Sequence, residues 1–75
     1  MKTLFDCNKN DKVKVIKLNA PSELKQRFIS FGIMKDAQIQ ILQHTSSKST
    51  IEIKVGKMRL ALRSAEAKSI EVEEI

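Results

Sequence analysis

Residues 21–33, Pro-Ser-Glu-Leu-Lys-Gln-Arg-Phe-Ile-Ser-Phe-Gly-Ile, are the one stretch of this 75-residue chain whose apolar spacing reads clearly as a helix. Leu24, Phe28 and Phe31 recur at i, i+4 and i+7 and share one face, while Glu23, Lys25, Gln26 and Ser30 fall mostly away from it. Asn19 or Ala20 is the expected N-cap. Pro21 then sits in the first turn, where its missing N–H costs nothing, and Glu23 lies at the positive end of the helix dipole. Gly32 supplies the left-handed residue that ends a helix, and Ile33 beyond it is placed to fold back on Phe28 or Ile29.

Outward from this helix, the chain reads as strand. Before it, Lys12–Leu18 alternates but changes phase, with Val13 and Val15 on one parity and Ile16 and Leu18 on the other. Either a bulge turns both pairs inward, or the strand ends near Ile16 and Leu18 staples the helix entry. Leu4 is expected to pack, and Asn8–Asp11 to turn. After the helix, Met34-Lys35-Asp36 connects to a half-buried strand with Ala37, Ile39 and Ile41 on one face. A polar loop, His44–Ser49, follows.

Ile51, Ile53 and Val55 then alternate with Glu52 and Lys54, and Met58, Leu60 and Leu62 with Arg59, Ala61 and Arg63. Gly56-Lys57 between them is a two-residue hairpin turn with glycine at its first central position. That turn predicts Val55 opposite Met58, Ile53 opposite Leu60 and Ile51 opposite Leu62, all on the core face, with Lys54 opposite Arg59 outside. Two like charges so placed are either solvated or retained for an anionic partner. Ser64–Ser69 reads as a helical turn or loop, and Ile70–Val72 as a last strand. Five short strands and one short helix predict a mainly β fold, a small closed or nearly closed barrel whose helix covers one end.

Seventy-five residues predict one domain, residues 1–75, with a small core. The lone Cys7 excludes an internal disulfide, and Cys7 with the single His44 cannot assemble a four-ligand zinc pattern without several carboxylates. Neither a membrane-length apolar run nor the apolar block of a signal peptide is evident, which predicts a cytoplasmic protein. The net charge is +5, and because Glu71, Glu73 and Glu74 hold three of the nine acids, residues 1–70 carry 14 basic against 6 acidic side chains. A body so basic suits an acidic partner without specifying one. With no Tyr or Trp and three Phe residues at or near the core, the stacking platform of single-strand nucleic-acid binders is missing.

Neither a catalytic constellation nor a phosphate-cradling glycine loop emerges, since Gly32 and Gly56 each have a local backbone task. No catalytic residue, cofactor or metal ligand is therefore assigned, and the chain is not expected to be an enzyme. A ferrous site from Cys7, His44 and nearby carboxylates is a weak alternative.

The order of a helix ending Arg27-Phe28-Ile29-Ser30-Phe31-Gly32-Ile33, a short turn, three strands, Ala61-Leu62-Arg63-Ser64-Ala65-Glu66-Ala67 and a final Ile70-Glu71-Val72-Glu73 resembles the ferrous iron transport protein A (FeoA) family over nearly the whole chain. The chain departs from the family pattern at Lys35-Asp36, where Pro-Gly is usual, and at Asn10-Asp11, where glycine is usual. The resemblance implies an SH3-like barrel acting as a cytoplasmic accessory to FeoB, the ferrous iron permease with a cytosolic GTP-binding domain. The chain would meet the membrane's inner face only through that partner. On this reading the docking positions are Lys25, Arg27, Ser30 and Met34 around the helix, and Arg63 at the end of the Ala-Leu-Arg strand. Arg27 has a local alternative, an ion pair with Glu23 at i, i+4. A basic nucleic-acid-binding module and a ferrous sensor, like the similar barrel that ends some iron-dependent repressors, are the competing expectations.

Overall fold

The computed structural model describes residues 2–45, 47 and 49–75. Five antiparallel strands, β1 (Lys12–Leu18), β2 (Gln38–His44), β3 (Thr50–Val55), β4 (Met58–Arg63) and β5 (Ile70–Glu74), form one sheet in the order β4-β3-β2-β1-β5. Helix α1 (Ser22–Ser30) links β1 to β2, α2 (Ser64–Lys68) links β4 to β5, and a 3-10 turn (Leu4–Asp6) precedes β1. Among the described residues, β4 and β5 are joined through α2 rather than by a ladder, which leaves the barrel open on that side.

Phe28, Leu4, Ile33, Ile39, Ile41, Ile51, Ile53, Ile70, Val13 and Val15 fill the core. The phase change in β1 is a bulge. Pairing with β5 shifts between Val15 and Lys17, so Val13, Val15 and Leu18 all face inward. Ile16 does not join them, because it is the bulged residue and remains 43% exposed. A second register shift, between Ile41 and Gln43 in β2, has no counterpart in the sequence pattern.

The hairpin register forms as expected, with Val55↔Met58, Ile53↔Leu60, Ile51↔Leu62 and Lys54↔Arg59. Gly56 takes φ +60° and Lys57 keeps a negative φ, the signature of a type II′ turn. The expected six-residue core face is only partly realised, however. Leu62 is buried and Leu60 half-buried, but Met58 is 45% exposed, because β4 has a neighbour on one side only and its turn end lies at the rim.

Helix α1 starts later than the expected Asn19 or Ala20 cap. Pro21 (φ −58°, ψ 157°) is the N-cap itself, and its carbonyl accepts the Lys25 N–H at 2.9 Å. The other end closes as a Schellman motif. Gly32 (φ +87°) donates to Ile29 O at 2.9 Å, Ile33 donates to Phe28 O at 2.8 Å, and the Ile33 side chain is fully buried. Of the apolar stripe only Phe28 is fully buried, while Leu24 and Phe31 are half-buried against the core.

The two turns that depart from glycine keep its geometry. Asp36 has φ +71° in a turn closed by Ala37 N–H to Met34 O (2.9 Å), and Asn10 has φ +73° in a turn closed by Asp11 N–H to Asn8 O (3.0 Å). Both sit at the third residue of a type II turn, where Asn and Asp best replace glycine. Of the polar loop after β2, Thr45 and Thr50 close the base through a 3.1 Å backbone bond, and Ser46 and Lys48 lie outside the described residues.

Candidate docking surface

The five positions assigned to docking lie on α1, just past its C-terminus and at the end of β4. Lys25, Arg27 and Ser30 are exposed on α1, and Met34, 43% exposed, lies just past its C-terminus. Ser30 Oγ donates back to Arg27 O at 2.6 Å, a local bond that fastens the last helical turn. Arg27 and Arg63 do converge, and they do so on Glu66. The Arg27 guanidinium lies 4.0 Å from one Glu66 oxygen, and the other oxygen accepts the Arg63 backbone N–H at 2.8 Å. The i, i+4 pairing of Arg27 with Glu23 is replaced by this contact between the two helices. Glu66 is thus a capping residue for α2 and a tie to α1, a role visible only once both helices are placed.

Across the outer face of the sheet runs a row that the sequence showed in part. Lys54 faces Arg59 as the hairpin dictates, Gln40 faces Lys54 from β2, and Lys12 faces Gln40 from β1. Three cations and one amide therefore cross four strands. Nothing in the sequence could place Lys12 there, since its neighbours in the row are more than 25 positions away and the alignment depends on two non-local registers. Beside the row, a groove of ≈560 Å³ opens between Lys12, Gln40, Lys54 and the two glycines, Gly32 and Gly56. Among the described residues, ion pairs engage Lys2, Lys14 and Arg27 but neither Lys54 nor Arg59.

Cys7 and His44 do meet, but not through the thiol. The His44 Nε2–H donates to Cys7 O at 2.7 Å, and the Phe5 ring packs edge-on against the imidazole with centroids 6.0 Å apart. Lys68 Nζ sits 4.7 Å from the centroid of that Phe5 ring, tying α2 to the N-terminal turn. The Cys7 thiol is oriented toward Thr3 O, 3.5 Å away, and burial pushes its pKa up to about 11. A thiol so held is protonated at neutral pH, the form that neither attacks nor ligates. No group of three or more His, Cys, Asp or Glu side chains with metal-binding geometry occurs among the described residues. None of the described helices is long and apolar enough to cross a membrane.

A family model described as the FeoA domain matches residues 2–74. The chain belongs to the FeoA family. A Helicobacter pylori relative named "Putative Fe(2+) transport protein A" is 33% identical over 73 residues, spanning 96% of each chain. The structure of an FeoA-like protein from Clostridium acetobutylicum superposes with a TM-score of 0.86 at 28% identity, covering 100% of this chain and 90% of that one. The FeoA protein from Chlorobium tepidum has a TM-score of 0.93 at 23% identity, over 99% and 70% of the two chains, and so shares the fold. The same FeoA fold, SH3-like as the resemblance implies, occurs in 41% of a manganese-dependent transcriptional repressor, with a TM-score of 0.90 at 23% identity.

Proposed function

We propose that this FeoA chain is a small cytoplasmic accessory protein of bacterial ferrous iron uptake that binds the cytosolic region of the FeoB GTP-binding permease and modulates it. The observation that carries this reading is the match of the FeoA model along residues 2–74, with relatives of the same length named for Fe(2+) transport. The chain's physical character supports it. The described residues present a small β fold with most of its charged groups on the surface, its one cysteine buried and protonated, and basic side chains exposed to meet an acidic protein. On this reading residues 1–75 act as one docking unit, with Lys25, Arg27, Ser30, Met34 and Arg63 in contact with the permease, and membrane recruitment follows from that contact alone. Titration of the isotopically labelled chain with the cytosolic part of the permease, with and without guanine nucleotide, is expected to shift amides of α1 and of the Arg63–Glu66 junction. Unshifted amides in both states at high concentration would overturn the reading.

The Lys12–Gln40–Lys54–Arg59 row supports one competing reading, a module that binds nucleic acid through phosphate contacts. An oligonucleotide titration at two salt concentrations separates the two, because only the competing reading predicts tight binding that collapses as salt rises.

A further inference from the structure

Strand β4 ends the sheet order and has a pairing partner on one side only. Val55 and Met58 flank a two-residue turn and so exchange both backbone hydrogen bonds, which turns the N–H and C=O groups of Met58, Leu60 and Leu62 toward β3. Those of Arg59, Ala61 and Arg63 point away. Two contacts at the far end of the hairpin fix this parity. Ser64 N–H donates to Ser49 O at 2.9 Å, continuing the inward set, and the outward Arg63 N–H is taken by Glu66 at 2.8 Å. Arg59 and Ala61 therefore present a short outward row of backbone donors and acceptors.

The side chains bordering that edge have a consistent character. Lys54 and Arg59 stand side by side on the outer face, Lys57 lies in the turn and Arg63 at the other end, and among the described residues none of the four forms an ion pair. The neighbouring acid on this face, Glu52, is engaged by Gln43 Nε2 at 2.8 Å. On the opposite parity Met58 is 45% exposed and Leu60 half-buried. An extended segment alternating acidic and apolar residues matches all three features, because its two faces fall on the two parities of β4. A nucleic-acid strand matches the charge alone, since Phe28 is buried, Phe5 and Phe31 are half-buried, and the chain has no other aromatic ring apart from His44. A second copy of this chain matches the charge through its acidic β5. That strand's outer edge is already closed, however, by Val72 N–H to Lys2 O (2.9 Å) and the Thr3–Glu71 bridge.

We propose that the β4 edge, Met58–Leu62, takes up an extended acidic segment of a partner protein as a sixth strand. Backbone bonds form at Arg59 and Ala61, carboxylates lie over Lys54, Arg59 and Arg63, and apolar side chains rest against Met58 and Leu60. The inference holds whichever protein supplies the segment. Its test uses a peptide rather than a permease, so its failure is distinct from failure of the iron-uptake reading.

The probe is acetyl-Glu-Val-Glu-Leu-Glu-Val-amide, titrated into the isotopically labelled full chain. The expected result is amide shifts confined to Met58–Leu62 and slowed hydrogen exchange at the Arg59 and Ala61 amides, with no shifts from the same peptide carrying Lys in place of Glu. Raising salt from low to high ionic strength is expected to weaken binding about tenfold, as for a few exposed ion pairs. Ala61→Pro removes an outward donor without touching the β3 ladder, and it is expected to abolish binding while the rest of the spectrum is unchanged. Should that variant fail to fold, Arg59→Glu gives the second reading, an expected loss of about tenfold or more from reversing one close charge. Absence of shifts, shifts centred on Lys12 and Lys14, or undiminished binding by either variant would overturn the proposal. So would a single-stranded oligonucleotide that displaces the peptide from β4 at lower concentration.

Discussion

The two edges of the sheet are built on opposite plans. The β5 edge is covered: residues 2 and 3 run along it, Val72 donates to Lys2 O, Thr3 bridges Glu71, and Lys2 pairs with Glu74. Beneath that strap Leu4 is fully buried, and Asp6 closes the turn by accepting from the Thr3 N–H and hydroxyl at 3.0 and 3.1 Å. The β4 edge has no such strap among the described residues, and it is short, basic and next to a tight turn. An unpaired edge invites association, and charged side chains such as Arg59 and Arg63 along it discourage indiscriminate strand pairing. The contrast teaches that the N-terminal segment is part of the sheet's closure rather than a tail, and that among the described residues the β4 edge is left unpaired.

Phe28→Ala sets the scale for both edges, because Phe28 is the fully buried anchor of α1. It is expected to destabilise by about 3 to 5 kcal/mol, read from denaturant midpoints, and an unchanged midpoint would show that α1 is not part of the core. The edges are best contrasted by a matched pair of proline substitutions. Val72→Pro strips a donor from the covered edge and leaves the Lys2 carbonyl unpaired. It is expected to destabilise by about 2 to 4 kcal/mol, from that lost bond and the lost packing of a buried valine. Ala61→Pro strips a donor that no residue of the ladder uses, and it is expected to change stability by less than about 1 kcal/mol. Equal losses from the two would erase the distinction between the edges.

The smallest effect belongs to pH. The hydrogen bonds from Thr3, first its backbone N–H and then its hydroxyl, hold the Asp6 carboxyl below the usual carboxylate range. Its folded pKa lies below the unfolded value, so its stabilisation is present above about pH 4 and is lost as pH falls through the folded pKa. Because the group is exposed, the contribution is expected to be under about 1 kcal/mol. Asp6→Asn should flatten the acid limb of the stability curve by that amount, measured by unfolding at pH 3 and pH 7. A steep acid limb that survives the substitution would assign the effect to another carboxylate.

Much of the candidate surface was legible in part. Arg27 and Arg63 were singled out separately, and they do approach one another, but through Glu66, whose capping of α2 depends on where α1 lies. Lys54 opposite Arg59 followed from the two-residue turn, because a local turn fixes a local register. The extension of that row to Lys12 did not, since it passes through β2 and two separate strand pairings. Met58 was expected inside and lies largely outside, because alternation tells which parity a residue occupies and not whether anything covers it.

By itself, the sequence determined the local conformations: the Schellman end at Gly32, the left-handed Asn10 and Asp36, the Gly56 turn, and the phase change that becomes the bulge at Ile16. These depend on backbone sterics and on side-chain periods of two and 3.6, which act over a few residues. Only the tertiary structure decided that the N-terminal residues cover β5, that Glu66 joins the two helices, and that β4 is left open. Those outcomes depend on which segments meet across more than 30 positions of chain, and that is settled by the joint burial of the whole core rather than by any one stretch.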